Sequence, residues 1–133
     1  MCIFAFNLFR NLKKKVNKNE EVLLSIIIEA IQEKKGKDIA LLDLRGLEQA
    51  VCDYFIICHG DSSTQVGALT GCIEEFAMKK AGIKPYHVEG MQNAQWVLLD
   101  FMDIVVHVFQ KEFRFLYQLE QLWSDAKIKN IED

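Results

Sequence analysis

The sequence is poor in the features that mark special architectures. It holds one proline, Pro85, in 133 residues and no Pro-rich, collagen-like or low-complexity segment, which excludes fibrous and extended classes. No internal repeat is present, so a solenoid or propeller is excluded. No apolar run approaches the roughly 20 residues that a helix needs to span a bilayer. Four cysteines, Cys2, Cys52, Cys58 and Cys72, lie at irregular spacings without a C-x-x-C, which reads as free, partly buried thiols in a reducing compartment. Acidic residues are missing from residues 1–19, where Arg10, Lys13, Lys14, Lys15 and Lys18 stand. Setting those five aside, the rest of the chain carries 11 of the 16 basic residues and all 19 acidic ones, a net charge of −8 inside an overall −3. Such a domain repels phosphates, because nucleic-acid affinity comes largely from Lys and Arg neutralising them, and it attracts basic proteins.

What is present fits one domain of ordinary composition, half hydrophobic and 26% charged, long enough to bury a core. In residues 1–19 the apolar part precedes the basic part, the reverse of a secretory signal, so this stretch is read as an extension of the domain with weak attachment to an anionic surface as the alternative. The expected domain spans 20–126, with a ragged tail over 127–133.

Apolar residues at Val22, Leu23, Ile26, Ile27, Ala30 and Ile31 follow helical spacing and predict a helix over Glu20–Lys35. Ile39–Leu44 and Asp53–His59 read as buried strands; Leu47–Cys52 is too short and mixed to assign. Asp61-Ser62-Ser63 is a capping region for a helix over Thr64–Ala81, and Gly82 closes it. Pro85–Val88 predicts a short strand kept near an edge by its proline. The apolar runs Trp96–Leu99 and Ile104–Phe109, separated by Asp100-Phe101-Met102-Asp103, predict a hairpin covered on both faces. Phe113, Leu116, Tyr117, Leu119 and Leu122 fit a last helix over Lys111–Ala126. The sum is an α/β (α+β) fold, a mixed sheet flanked by helices.

Several segments together resemble the ribosomal silencing factor RsfS family, also called Iojap-like or YbeB-like. The residues that carry the likeness are Asp38-Ile39, Leu42-Asp43, Asp53-Tyr54-Phe55-Ile56-Ile57, Gly60, Ser62-Ser63, Gln65-Val66, Glu89-Gly90, Trp96–Asp100, Asp103–His107 and Tyr117-x-Leu119-Glu120-x-Leu122-Trp123. The resemblance covers roughly residues 20–126. It implies a nucleotidyltransferase-like fold, a homodimer and a non-enzymatic role; the cytoplasmic location is the one expected from the free thiols, unless the N-terminus redirects the protein. That role is binding of the large ribosomal subunit through its protein L-fourteen, which blocks subunit association and lowers translation in starvation or stationary phase. It also implies that Trp96 lies on the partner surface. Beside that indole, Asp100, Phe101, Met102 and Asp103 complete an aromatic centre with a charged rim. Two residues depart from the family pattern: Met102 stands where Gly is usual, and His59 where Thr or Ser is common. Met at that turn would carry steric strain at positive φ or force another turn type.

No catalytic residue, cofactor or metal ligand is assigned. Gly60-Asp61-Ser62-Ser63 is like the phosphate-cradling entrance of nucleotidyltransferases, but no D-x-D pair follows to hold Mg²⁺. His59, His87 and His107 match no zinc spacing. Tyr117, Glu120 and Trp123 pack the last helix onto the sheet or take part in a dimer contact; Arg114 or Lys79 is the expected partner of Glu120. The alternatives to a silencing factor are a nucleotide-binding enzyme on the same fold and a ribosome-assembly adaptor.

Overall fold

A computed structural model describes residues 18–132 of the chain. The extension expected over residues 1–19 therefore falls outside the described residues, apart from its last two, which already belong to a helix. The elements run α1 (Lys18–Glu33), β1 (Lys37–Asp43), β2 (Tyr54–Gly60), α2 (Ser63–Ala81), β3 (His87–Glu89), β4 (Trp96–Asp100), β5 (Ile104–Gln110), α3 (Lys111–Tyr117), α4 (Leu119–Leu122) and β6 (Lys127–Ile131).

The six strands form one mixed sheet in the order β3-β4-β5-β2-β1-β6. β2 and β5 pair in parallel at its centre, and the other neighbours are antiparallel. All seven residues of β2 and the first six of β5 are buried, as expected for strands covered on both faces. Helices α1 and α2 pack against one face through Leu24, Ile27, Ile31, Leu69 and Ile73. The other face is closed by the β1–β2 connection, which contributes Leu44, Ala50 and Cys52, and by Leu119, Phe113 and Trp123 from the C-terminal region.

The ends of α2 follow from its flanking residues. Ser62 is extended and its hydroxyl accepts from the Gln65 N–H at 3.1 Å, while Gly82 closes the helix at φ 66. The proline-restricted third strand is three residues long and sits at the sheet edge.

Two expectations fail at the C-terminus. The single helix over Lys111–Ala126 is two short ones, because Gln118 adopts φ 47 and its N–H caps α3 on the Arg114 carbonyl. The bend brings Glu120 within 2.9 Å of the Arg114 Nε, a contact that residues six apart on a continuous helix, pointing in different directions, would not make. The residues after α4 are not ragged either. Lys127–Ile131 form β6, hydrogen-bonded along β1 from Asp43↔Lys127 to Ile39↔Ile131. Alternating lysines blunt the outer side of this edge strand.

Candidate docking face

Strand β4 presents its residues alternately to the two sides of the sheet. Val97 and Leu99 are fully buried beneath the two long helices; Trp96, Leu98 and Asp100 point to the opposite side and are half-buried. On that side they continue laterally into His107 and Phe109 of β5, and into His87 and Glu89 of β3. The connection and the C-terminal helices cover the β1–β2 half of this face and leave the β3–β4 half open. The open half has Trp96 and Leu98 at its centre, with Asp100, Glu89 and His87 around them; the His87 Nε2 lies 2.6 Å from Glu89 Oε1.

The indole is held in place on one side. Its ring stacks on Phe109 with centroids 5.0 Å apart, and Tyr117 of α3 approaches to 5.0 Å. Its Nε1–H donates to His107 Nδ1 at 3.0 Å. Indole can only donate, so His107 Nδ1 must accept and the ring proton resides on Nε2. Burial holds His107 far below the ordinary histidine range, at about 3, which keeps it a neutral acceptor. Gly90 sets the entry to the strand: at φ 89 it lies so close to the Trp96 backbone carbonyl that a Cβ would collide with it. The Ala94 N–H then closes the loop on the Gly90 carbonyl at 2.9 Å.

The tip between β4 and β5 differs from the expected cluster. Phe101 is 5% exposed and belongs to the core beneath the helices, so it is not part of an exposed docking surface. Parity explains this correction: Phe101 follows Val97 and Leu99 on the inner side, not Trp96 and Leu98. Met102 is 49% exposed and adopts φ 76, so the strained turn is the one realised. Its N–H donates to Asp100 Oδ1 at 2.8 Å. Asp103 faces α1, where its carboxylate, that of Asp53 and that of Glu20 all lie within 4.8 Å of one another. Burial, and then the two neighbouring carboxylates, raise Glu20 to about 8 against the opposing pull of Arg45, so Glu20 retains its proton near neutrality.

This carboxylate group is the set most suited to a divalent cation among the described residues, and it stands at the start of β2. Gly60-Asp61-Ser62-Ser63 stands at the other end of the same seven-residue strand, about 20 Å away at the usual strand rise. A nucleotidyl-transfer site needs its metal and its phosphate loop together, and this geometry separates them. The loop is also occupied: Ser62 caps α2, Asp61 pairs with Lys37 at 3.1 Å, and the Asp61 N–H donates to Gln65 Oε1 at 2.8 Å.

Tyr117, Glu120 and Trp123 all make contacts within the chain. Tyr117 walls the indole, Glu120 pairs with Arg114, and Trp123 meets Phe55 edge-on with centroids 5.5 Å apart. Three residues of the open face, Leu98, Glu89 and His87, were not among the expected site residues. The Trp96-x-Leu98 alternation carries the signal for Leu98; Glu89 and His87 depend on the register of β3, which sequence does not supply.

The chain matches a family model described as ribosomal silencing factor during starvation over residues 16–133. The ribosomal silencing factor RsfS of Bacillus subtilis is 42% identical over 114 residues, covering 86% of this chain and 95% of that protein. A crystal structure of a Chromobacterium violaceum protein superposes with TM-score 0.73 at 34% identity, over 85% of this chain and 92% of that one. A Bacillus halodurans crystal structure gives TM-score 0.71 at 36% identity, over 85% and 99% respectively.

Proposed function

This chain belongs to the ribosomal silencing factor family, and on that premise we propose that it binds the large ribosomal subunit and keeps the small subunit from joining. The partner on the large subunit is the protein L-fourteen, and the contact is the open half of the sheet face around Trp96 and Leu98. The observation that carries this reading is an indole fixed on one side by Phe109, Tyr117 and His107 while its strand remains half-buried. An aromatic anchor held in one rotamer loses little freedom on binding, and the acids Glu89 and Asp100 beside it complement a basic partner.

The protein acts by occupying space in the cytoplasm, without catalysis. No helix among the described residues is long and apolar enough to cross a membrane. A homodimer belongs to the same reading; Phe115, Leu116 and Leu122 on α3 and α4 are exposed apolar side chains available for it. The domain of 20–126 carries the activity, with β6 completing its sheet.

Sedimentation of purified subunits through sucrose tests the reading. Added protein is expected to shift joined ribosomes to free subunits, and Trp96→Ala is expected to lose this effect at equal concentration. Joining that is unaffected by the native chain, or blocked equally by a folded Trp96→Ala variant, would refute it.

A further inference from the structure

Away from the docking face, the ends of three elements meet at one buried guanidinium. Arg114 of α3 is 8% exposed. Its Nη1 donates to His59 Nδ1 at 2.9 Å and to the Lys37 carbonyl at 3.3 Å, and its Nε donates to Glu120 at 2.9 Å. One side chain thus ties the start of β1, the end of β2 and α4 together. Guanidinium has no acceptor to offer, so His59 Nδ1 must be unprotonated for the contact to exist.

We propose that His59 is a proton-operated latch on the C-terminal helices: neutral, it holds Arg114 and thereby α3 and α4; protonated at Nδ1, it expels the guanidinium and releases them. The inference rests on the docking reading above, because α3 carries Tyr117, the wall of Trp96. Apart from this junction, the helices are held by the packing of Phe113, Leu119 and Trp123 onto the sheet. They are seven and four residues long, and no side chain caps the N-terminus of either. Helices this short are unstable without tertiary support.

Charged groups surround the imidazole: Glu120 of α4 and Glu132 after β6 line the same cavity, and nearer groups come from α3, β1 and the end of β2. Arg114 and Lys111 of α3 disfavour a second positive charge, while Asp38 of β1 and Asp61 beyond β2 favour it; Asp38 Oδ2 lies 3.9 Å from Nε2. Burial leads, followed by Arg114, and His59 sits below the ordinary histidine range. A folded-state pKa below the unfolded value means that the latch contributes fully above about pH 6.5 and is lost as pH falls toward the folded value. The other histidines stand apart from the Arg114 junction. His107 titrates near 3, and His87 lies on β3 at the far edge of the sheet.

Hydrogen exchange of the free protein, corrected for intrinsic rates, tests the latch between about pH 7.5 and 5. Amides of residues 111–122 are expected to exchange roughly tenfold or more faster at the acid end, the loss of one charge-assisted hydrogen bond. In His59→Gln the amide oxygen accepts from Arg114 without titrating, and the rates are expected to stay flat. Flat exchange in the native chain, or equal acceleration in His59→Gln, would overturn the proposal. Should that variant fail to fold, the native chain decides alone: the His59 imidazole midpoint by NMR must coincide with the exchange midpoint, and separated midpoints overturn the latch. Pelleting with large subunits adds a separate arm. With His87 of the docking face replaced by Gln in both proteins, binding by the chain that keeps His59 is expected to fall at the acid end and binding by His59→Gln to persist. Absence of binding at every pH would sink the docking reading and leave the latch to the exchange data.

Discussion

Along β4, two regions of the molecule are separated by a single residue of register. Val97 and Leu99 face two long helices and are sealed; Trp96 and Leu98 face the other way, where the covering layer stops at Tyr117 and leaves the strand half open. The same backbone hydrogen bonds serve both sides, so the difference lies in what covers them. The sealed side is where burial stabilises the fold, and the open side is where a partner can complete the burial. Substitutions on alternate residues of one strand should therefore affect stability and recognition separately.

The largest expected effect breaks the comparison on its sealed side. Leu99→Ala empties a fully buried position and is expected to cost about 2–5 kcal/mol in urea unfolding, against about 1 kcal/mol for the half-buried Leu98→Ala. Equal costs would mean that the two sides are not distinct. On the open side, Trp96→Ala is expected to weaken large-subunit binding by about 2 kcal/mol, roughly thirtyfold, in equilibrium titrations. Trp96→Phe, which keeps a ring on Phe109 but loses the bond to His107, should fall between the two.

Much of this layout is legible in the sequence, and the reasons for the rest are local. Long periodic segments such as Leu23–Ile31 and the apolar runs of β2, β4 and β5 announce their elements because burial dictates their pattern. The pairing of Glu120 with Arg114 is anticipated in the sequence, but the break at Gln118 that accompanies it is not, because no Gly or Pro marks the position. Strand β6 is five residues with lysines on an exposed edge, so its pattern is that of a solvated tail. Only the family resemblance places Trp96 on a surface; Phe101 is close to it in sequence, but alternation along the strand turns it to the opposite face, with Val97 and Leu99. The carboxylate group of Glu20, Asp53 and Asp103 joins three distant segments and offers no spacing to read.

Smaller effects sharpen the comparison at the hairpin between the two regions. Glu20 titrates from an ordinary 4.5 when unfolded to about 8 when folded, so it stabilises the fold relative to its ionised state at low pH and that contribution is lost as pH rises through about 8. Glu20→Gln is expected to raise the melting temperature above pH 8 by about 4 °C, or roughly 1 kcal/mol after solvent screening, and to leave it unchanged near pH 4.5. An equal shift at both pH values would point to packing instead of charge. Met102→Gly removes a side chain at φ 76 and is expected to stabilise by about 1 kcal/mol in thermal unfolding. If Met102 also touches the partner, the same variant loses affinity while gaining stability; if it does not, only stability changes.

The most direct test of the docking face is co-sedimentation with large ribosomal subunits of two folded variants, Leu98→Arg at the centre of the open half and Val22→Arg on α1, where the side chain is 54% exposed. A cation at Leu98 opposes a basic partner and is expected to abolish pelleting, while Val22→Arg should pellet like the native chain. Native-like pelleting of Leu98→Arg, or its loss in Val22→Arg alone, would contradict the placement of the partner on this face.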